Sequence, residues 1–406
     1  IVTVTAVAKN SYHENGTVGE IKLAEGRVVV EGKASVGSVL VTASAASNVA
    51  VEVKGTATLG AVGSTNGLSD LNSVVSGTTE VISNKIDNSK FAGGFGTEKA
   101  PYLISTIDQL KNTSGSAGKI FKITCDLKAS VTDMVTGDLL GYEVKTLIPS
   151  LEKDSVIDGN GYSIQLPEVH YGKYEWVAEL VTQLYGTLKN LTVKLDNDGV
   201  VAGCSYNGTF ENVTVDGYYA VSGNNAAFVT YGRGAAFIGC VNKAVLQGTG
   251  TDKDYNAVFV GWNTGNGYTY TFTNCINKGM IVAGKAAMYV GNTGNNKMTL
   301  IANGCKNEGS IVSTYMSNSY KPDYLVASYN TSALTLKLDN DSKNLLNTKN
   351  GPTDAKMSIK VNDDKTFTVM KSEYDVQYYV VTITIYTKLA DGSGTNRFIV
   401  TERIES

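Results

Sequence analysis

NAAFVTYGRG (Asn225–Gly234), NAVFVGWNTG (Asn256–Gly265) and AAMYVGNTG (Ala286–Gly294) are one phrase written three times. Its aromatic heads are Phe228, Phe259 and Tyr289, 31 and then 30 residues apart. Each head is followed by a cysteine (Cys240, Cys275, Cys305) and, two residues on, by an asparagine (Asn242, Asn277, Asn307). Short apolar runs at a fixed period, broken by Gly and Asn turns, predict a solenoid in which successive coils stack strand on strand. Within each coil the apolar head and the cysteine face the core. The equivalent asparagines are expected to bond amide to amide along the stack.

Upstream, Gly186-Thr-Leu-Lys-Asn-Leu-Thr-Val193 and Gly208-Thr-Phe-Glu-Asn-Val-Thr-Val215 align 22 residues apart. Leu188, Leu191 and Val193 match Phe210, Val213 and Val215 as inward positions, and Asn190 matches Asn212 at a turn. Asparagine suits such a turn because it tolerates left-handed backbone. A similar period of 22–23 residues joins Val30–Val36, Val53–Leu59 and Val75–Val81. Coils with three short strands are expected over roughly 20–85, with antiparallel hairpins as the alternative. Between these regions, Ser105 stands three residues before Asp108, which predicts a capped short helix with Ile107 and Leu110 on one face. Such a helix would cover the open end of a stack. From 333 on, MSIKV, TFTVM, YYVVTITIYTKL and RFIVTERI read as antiparallel strands of a small sandwich. The domains are therefore placed at 1–90, 91–332 and 333–406.

Composition agrees with this reading. The 406 residues include 43 glycines and 5 prolines, and 18% are charged with a net charge of −3, which excludes a basic field for nucleic acid. No apolar run is long enough to span a membrane. The chain starts at Ile1, so an upstream segment is expected to have been removed. The five cysteines form no CxxC pair, and the last three, at equivalent repeat positions, read as a stack of buried thiols rather than disulfides or a metal site.

Gly94, Gly96, Thr97, Pro101, Tyr102, Ile104, Ser105, Thr106 and Leu110 form a pattern that resembles the lead-in of repeat-rich surface proteins and adhesins of gut bacteria. Ile157-Asp-Gly-Asn-Gly-Tyr-Ser-Ile164 extends the likeness. The resemblance implies an all-β chain with a right-handed parallel β-helix of the pectate-lyase-like superfamily. The short helix caps it, and a C-terminal antiparallel β-domain follows. It also implies an extracellular or cell-surface location and a role in adhesion.

Chemistry is sparse. Catalysis on a β-helix calls for clustered carboxylates holding Ca²⁺, or two facing carboxylates. Between 201 and 315 the acids are Glu211, Asp216, Asp252, Asp254 and Glu308, no two at equivalent positions. His13 and His170 stand alone. An earlier group runs from Asp154 to Asp198. In it Asp158 reads as a turn residue, Asp196-Asn-Asp198-Gly199 as an Asx turn rather than a Ca²⁺ loop, and Glu175 and Glu179 beside Trp176 as the strongest catalytic candidates. The expectation is of no enzyme, no cofactor and no metal. Tyr231 and Trp262 fall three residues after their heads, with Asn292 in the third copy, and Arg233 is the only arginine of that span, read as lying in an exposed turn. Aromatic faces in a row stack on sugar rings. Loops at Gly248–Tyr255 and Asn263–Tyr270 are expected to gather on the same face. The reading is a monomeric adhesin-like module whose partner is a glycan or a host or bacterial surface protein. The alternatives are a carbohydrate-active β-helix enzyme and a structural spacer.

Overall fold

The computed structural model describes residues 1–7, 11–169, 178–197, 199–220, 223–248, 253–315, 323–329, 332–346, 348–350, 358–361, 367–370, 378–388 and 395–405. Regular structure there is overwhelmingly strand, with α-helix only at Ile107–Lys111 and Asn340–Lys343. No described helix is long and apolar enough to cross a membrane. The chain forms two compact units. The first holds 1–165, 180–192 and 208–213, and the second 166–179, 193–207 and 214–406.

The first unit opens with two parallel sheets. One orders Val2–Val4, Thr17–Leu23, Ser35–Val41, Thr58–Ser64 and Glu80–Lys85; the other orders Tyr12–Glu14, Gly26–Val30, Val49–Val53 and Val75–Ser76. Ile21, Leu23, Val28, Val30, Val39, Val41, Val51 and Val62 fill the core cluster of these coils. Pairing is parallel, which removes the hairpin alternative, and it starts at Val2 opposite Ile21 rather than near residue 20. Val30 lies opposite Val53 and Val36 opposite Leu59, as the offset of 23 requires. The next offset does not hold: Val51 meets Val75 and Ala61 meets Glu80. Each coil has two strands instead of three, because Ser35–Val41 runs straight through as one seven-residue strand. Turn length alone then sets coil length, so the period drifts.

Gly19, Gly37 and Gly60 stand in register on the first sheet. A Cβ at Gly60 would lie 2.0 Å from the Lys99 carbonyl oxygen, so the row of bare backbone lets the segment before Tyr102 lie flat on the sheet. Beside it the fully buried Glu20 accepts from Gly94 N (2.8 Å), Asn88 Nδ2 (2.8 Å) and Ser38 Oγ (3.3 Å). Its other oxygen has no hydrogen-bond partner. Burial raises the Glu20 carboxyl above the usual range, against the pull of these donors and of Lys22.

The short helix is present, but its cap is Thr106, whose side chain accepts from Gln109 N. Ser105, the expected cap, instead donates its N–H and hydroxyl to Gln109 Oε1, one residue outside the helix. Tyr102–Ile104 pairs with Ile120–Ile123, which pairs with Val156–Asp158, which pairs with residues 187–189, all parallel. An antiparallel hairpin, Val135–Leu139 with Tyr142–Leu151, interrupts this series. Its two-residue turn, Leu140 and Gly141, has both φ values positive (56° and 91°), the mirror-image turn that matches strand twist. Leucine in that position is no turn signal, which is why the hairpin is not foreseen. Asn190 and Asn212 hold φ of 51° and 52°, and Asn212 Nδ2 donates to Asn190 Oδ1 at 3.2 Å. Asn190 Nδ2 donates in turn to Asp158 Oδ1 (3.1 Å), which also accepts from Asn160 N, so Asp158 is a turn residue.

The second unit contains the threefold phrase, and its copies pair in parallel and in register. Val229, Val260, Val290 and Val326 line up, as do Phe237, Phe272 and Ala302, and Leu246, Ile281 and Ile311. Phe228 and Phe259 are 5.1 Å apart between ring centres, and Phe237 and Phe272 stack at 5.0 Å with planes 2° apart. Asn242 Nδ2 donates to Asn277 Oδ1, and Asn277 Nδ2 to Asn307 Oδ1, both at 2.8 Å and buried. Cys240, Cys275 and Cys305 are fully buried thiols that form no disulfide. Thiol–thiol hydrogen bonds, with burial, hold Cys275 and Cys305 far above the ordinary thiol range. Leu334–Leu338, read above as the start of the C-terminal β-region, pairs in parallel with Met298–Ala302. Ser358–Val361 with Phe367–Met370, and Tyr378–Lys388 with Thr395–Glu405, are antiparallel hairpins. Their expected packing as a sandwich lies outside the described side chains. The chain is thus mostly β with large parallel sheets, an arrangement consistent with a β-helix.

Candidate functional site

The site is built on Val229–Ile238 and Val260–Asn263, with Val290–Asn292 as the third strand. Tyr231 lies opposite Trp262, Trp262 opposite Asn292, and Asn292 opposite Ser328. The register predicted from the heads therefore holds for this row. The rings of Tyr231 and Trp262 are 5.9 Å apart and tilted by 56°, both half-buried. They form an angled corner rather than one flat shelf, so a sugar stacked on one ring meets the edge of the other. Trp262 Nε1 is buried with no hydrogen-bond partner.

Backbone economy on the strand explains the position. A Cβ at Gly232 would lie 2.3 Å from the Tyr270 hydroxyl, so only glycine fits between Tyr231 and Arg233. Tyr270 is buried and donates to Asn263 Oδ1 at 2.8 Å, and burial raises its hydroxyl far above the usual phenol range. With that contact closed, Tyr231 and Arg233 share the opposite side of the strand.

Arg233 is not in a turn, as its flanking glycines implied, but inside the strand and only partly exposed. The glycines there serve close approach: a Cβ at Gly234 would meet Asn207 Oδ1 at 2.1 Å. Arg233 Nε donates to Thr264 Oγ1 at a long 3.4 Å, and its guanidinium lies 5.4 Å from the Tyr206 ring centre. No carboxylate pairs with it among the described residues. Asn292 Oδ1 accepts from Gly294 N (2.8 Å), and its Nδ2 donates to Asn224 Oδ1 (3.3 Å). The loop expected over Asn263–Tyr270 shrinks to residues 264–267, since Tyr268 already begins the next strand. The loop at Gly248–Tyr255 lies partly outside the described residues, as does Asp252.

Sequence reasoning missed two members of this neighbourhood and a cation on another sheet. Tyr206 and Thr264 carry no repeat signal. Lys285 does: it stands opposite Tyr255, 4.5 Å from that ring centre and 5.1 Å from that of Tyr315, with Nζ 3.1 Å from Tyr255 Oη. Comparing the residues before each head would have found it.

The catalytic candidates do not assemble among the described residues. Glu175, Trp176, His170 and Asp198 lie outside them. Glu179 is 2% exposed, in a strand, where a Cβ on Gly203 would lie 2.3 Å from its Oε1. Glu179 and Arg233 both act on the Cys204 thiol, which burial pushes up to about 12. Asp254 is buried and accepts from Asn256 Nδ2 (2.6 Å) and Gly284 N (3.1 Å), so it braces one coil against the next. Glu308 pairs with Lys278 at 3.5 Å. Among the described residues no three His, Cys, Asp or Glu side chains gather as metal ligands. A cavity of about 600 Å³ has Asp323 as its one acidic lining residue. Asp323 Oδ2 accepts from Tyr329 Oη at 2.7 Å, a bond that pushes the Tyr329 hydroxyl up to about 12.

No family model matches the chain, and no curated protein matches it. Among solved structures, the chain is similar to a candidate immunoglobulin A1 protease from Bacteroides ovatus at 14% identity and a TM-score of 0.45, over 71% of this chain and 98% of that one. This finding overturns the expectation of a chain without enzymatic activity, because a structure similar over most of its length is named for a protease. At that TM-score the likeness carries no argument about fold or mechanism, and it points to no catalytic residue here.

Proposed function

We propose that the chain is a right-handed parallel β-helix of a bacterial surface protein, and that the face bearing Tyr231, Trp262, Asn292 and Arg233 binds a glycan in an adhesin-like role. The observation that carries this reading is the in-register Tyr231–Trp262 pair, two half-exposed rings in contact with a partly exposed guanidinium beside them. Sugar rings present apolar C–H faces and polar rims, and aromatic side chains flanked by amides and cations match both. A domain division at 90 belongs to the same proposal, as do the extracellular location and the monomeric state; the division at 332 gives way to the parallel pairing of Leu334–Leu338 with Met298–Ala302.

The test is a glycan array probed with the purified chain, with every bound glycan also incubated with it and checked for new reducing or unsaturated ends. Retention of a defined glycan, reduced at least about tenfold in Trp262→Ala and Tyr231→Ala, supports the reading. Retention that both variants leave unchanged moves the site elsewhere. Cleavage would make the face a substrate-binding site of an enzyme instead.

A further inference from the structure

We infer that the ligand of this face is an anionic sugar, one that offers Arg233 a pair of oxyanion oxygens from a carboxylate or a sulfate ester. The inference rests on the glycan reading above and deepens it. Arg233 is a partly exposed cation with no acid to neutralise it: among the described residues its partners are the Thr264 hydroxyl and the face of Tyr206. Lys278 pairs with Glu308 and Lys189 with Asp158, whereas no described acid pairs with Arg233.

The guanidinium is also oriented. The long bond to Thr264 engages Nε, and the Tyr206 ring backs the guanidinium carbon, which leaves the terminal nitrogens for a ligand. That planar edge is the one that takes two oxygens of a carboxylate or sulfate side by side. It stands two residues from Tyr231, roughly 6.6 Å along the strand on the same side. A pyranose resting on Tyr231 or Trp262 thus brings an exocyclic acid group within reach of Arg233.

Titration calorimetry of the full chain with lactose, sialyllactose and sulfolactose tests this. Both acidic sugars, or one of them, should bind at least about tenfold more tightly than lactose, with an advantage that shrinks as salt rises. Which acid wins identifies the source of the oxyanion. Arg233→Gln should abolish the advantage while leaving the melting temperature as it was, and Arg233→Lys should restore part of it. Equal affinity for the three sugars, or an advantage unchanged in Arg233→Gln, overturns the inference. If Trp262→Ala still removes binding of all three, the glycan face itself survives that result. If Trp262→Ala changes nothing, the stacked sugar fails and the inference fails with it.

Discussion

Phe259 and Trp262 are three residues apart in one coil, yet their positions behave differently along the stack. The Phe259 position reads Phe, Phe, Tyr over three coils, and the buried amides and thiols read Asn, Asn, Asn and Cys, Cys, Cys. The Trp262 position reads Tyr, Trp, Asn, Ser. Inside, each side chain's environment is the same side chain one coil away. The amide buried at Asn277 bonds to the amides above and below it, so any other residue costs both neighbours a hydrogen bond. Outside, one side faces solvent and the copy above imposes little. The place where the repeat stops copying itself is therefore where a ligand can be specified.

The largest effect should come from breaking the aromatic ladder. Phe259→Ala removes a fully buried ring in contact with Phe228, Phe237, Phe272 and Tyr289, and should cost about 3–5 kcal/mol, read from the urea midpoint by circular dichroism. A loss near 1 kcal/mol would mean the coils carry one another less than the geometry says. Asn277→Ala comes next: it removes a hydrogen bond from each of Asn242 Nδ2 and Asn307 Oδ1, at roughly 2–4 kcal/mol in the same assay. Gly232→Ala pushes a methyl into the Tyr270 hydroxyl and should cost about 1–3 kcal/mol, lowering the melting temperature and weakening any ligand of Arg233.

Glu20 sharpens the comparison from the other side, as a buried polar group with no copy in the next coil, where Ser38 and Ala61 follow. Its folded-state pKa lies above the unfolded one, so its contribution is full below the ordinary glutamate value and lost as pH rises through the raised one. Glu20→Gln should flatten the dependence of the urea midpoint on pH in that window. An unchanged slope would place the titrating group elsewhere. The smallest stability effect belongs to the outer row: Arg233→Gln should move stability by under about 0.5 kcal/mol while changing what binds.

Much of this was legible from the repeat itself. The heads, the cysteines, both asparagine ladders and the Tyr231–Trp262 register all follow from positions that recur, because strand pairing between stacked coils sets equivalent residues opposite one another. What the repeat does not encode was misread or missed. Thr106 rather than Ser105 caps the helix, and both residues have hydroxyls that could do so. The hairpin at Leu140 and Gly141 lacks a turn signal. The first coils have two strands because strand length there depends on how the facing sheet packs.

The amino-acid sequence by itself determined the stacking: a period, an inward pattern and side chains that meet their own copies. Tertiary structure alone decided what the outward side chains face. Whether Arg233 sat in a turn or a strand, and whether an acid met it, depended on Tyr206, Thr264 and the Tyr270 hydroxyl under Gly232. Those neighbours come from different coils at unequal spacings. Periodicity brings like residues together, whereas a site is made of unlike ones, and only the folded chain sets their distances.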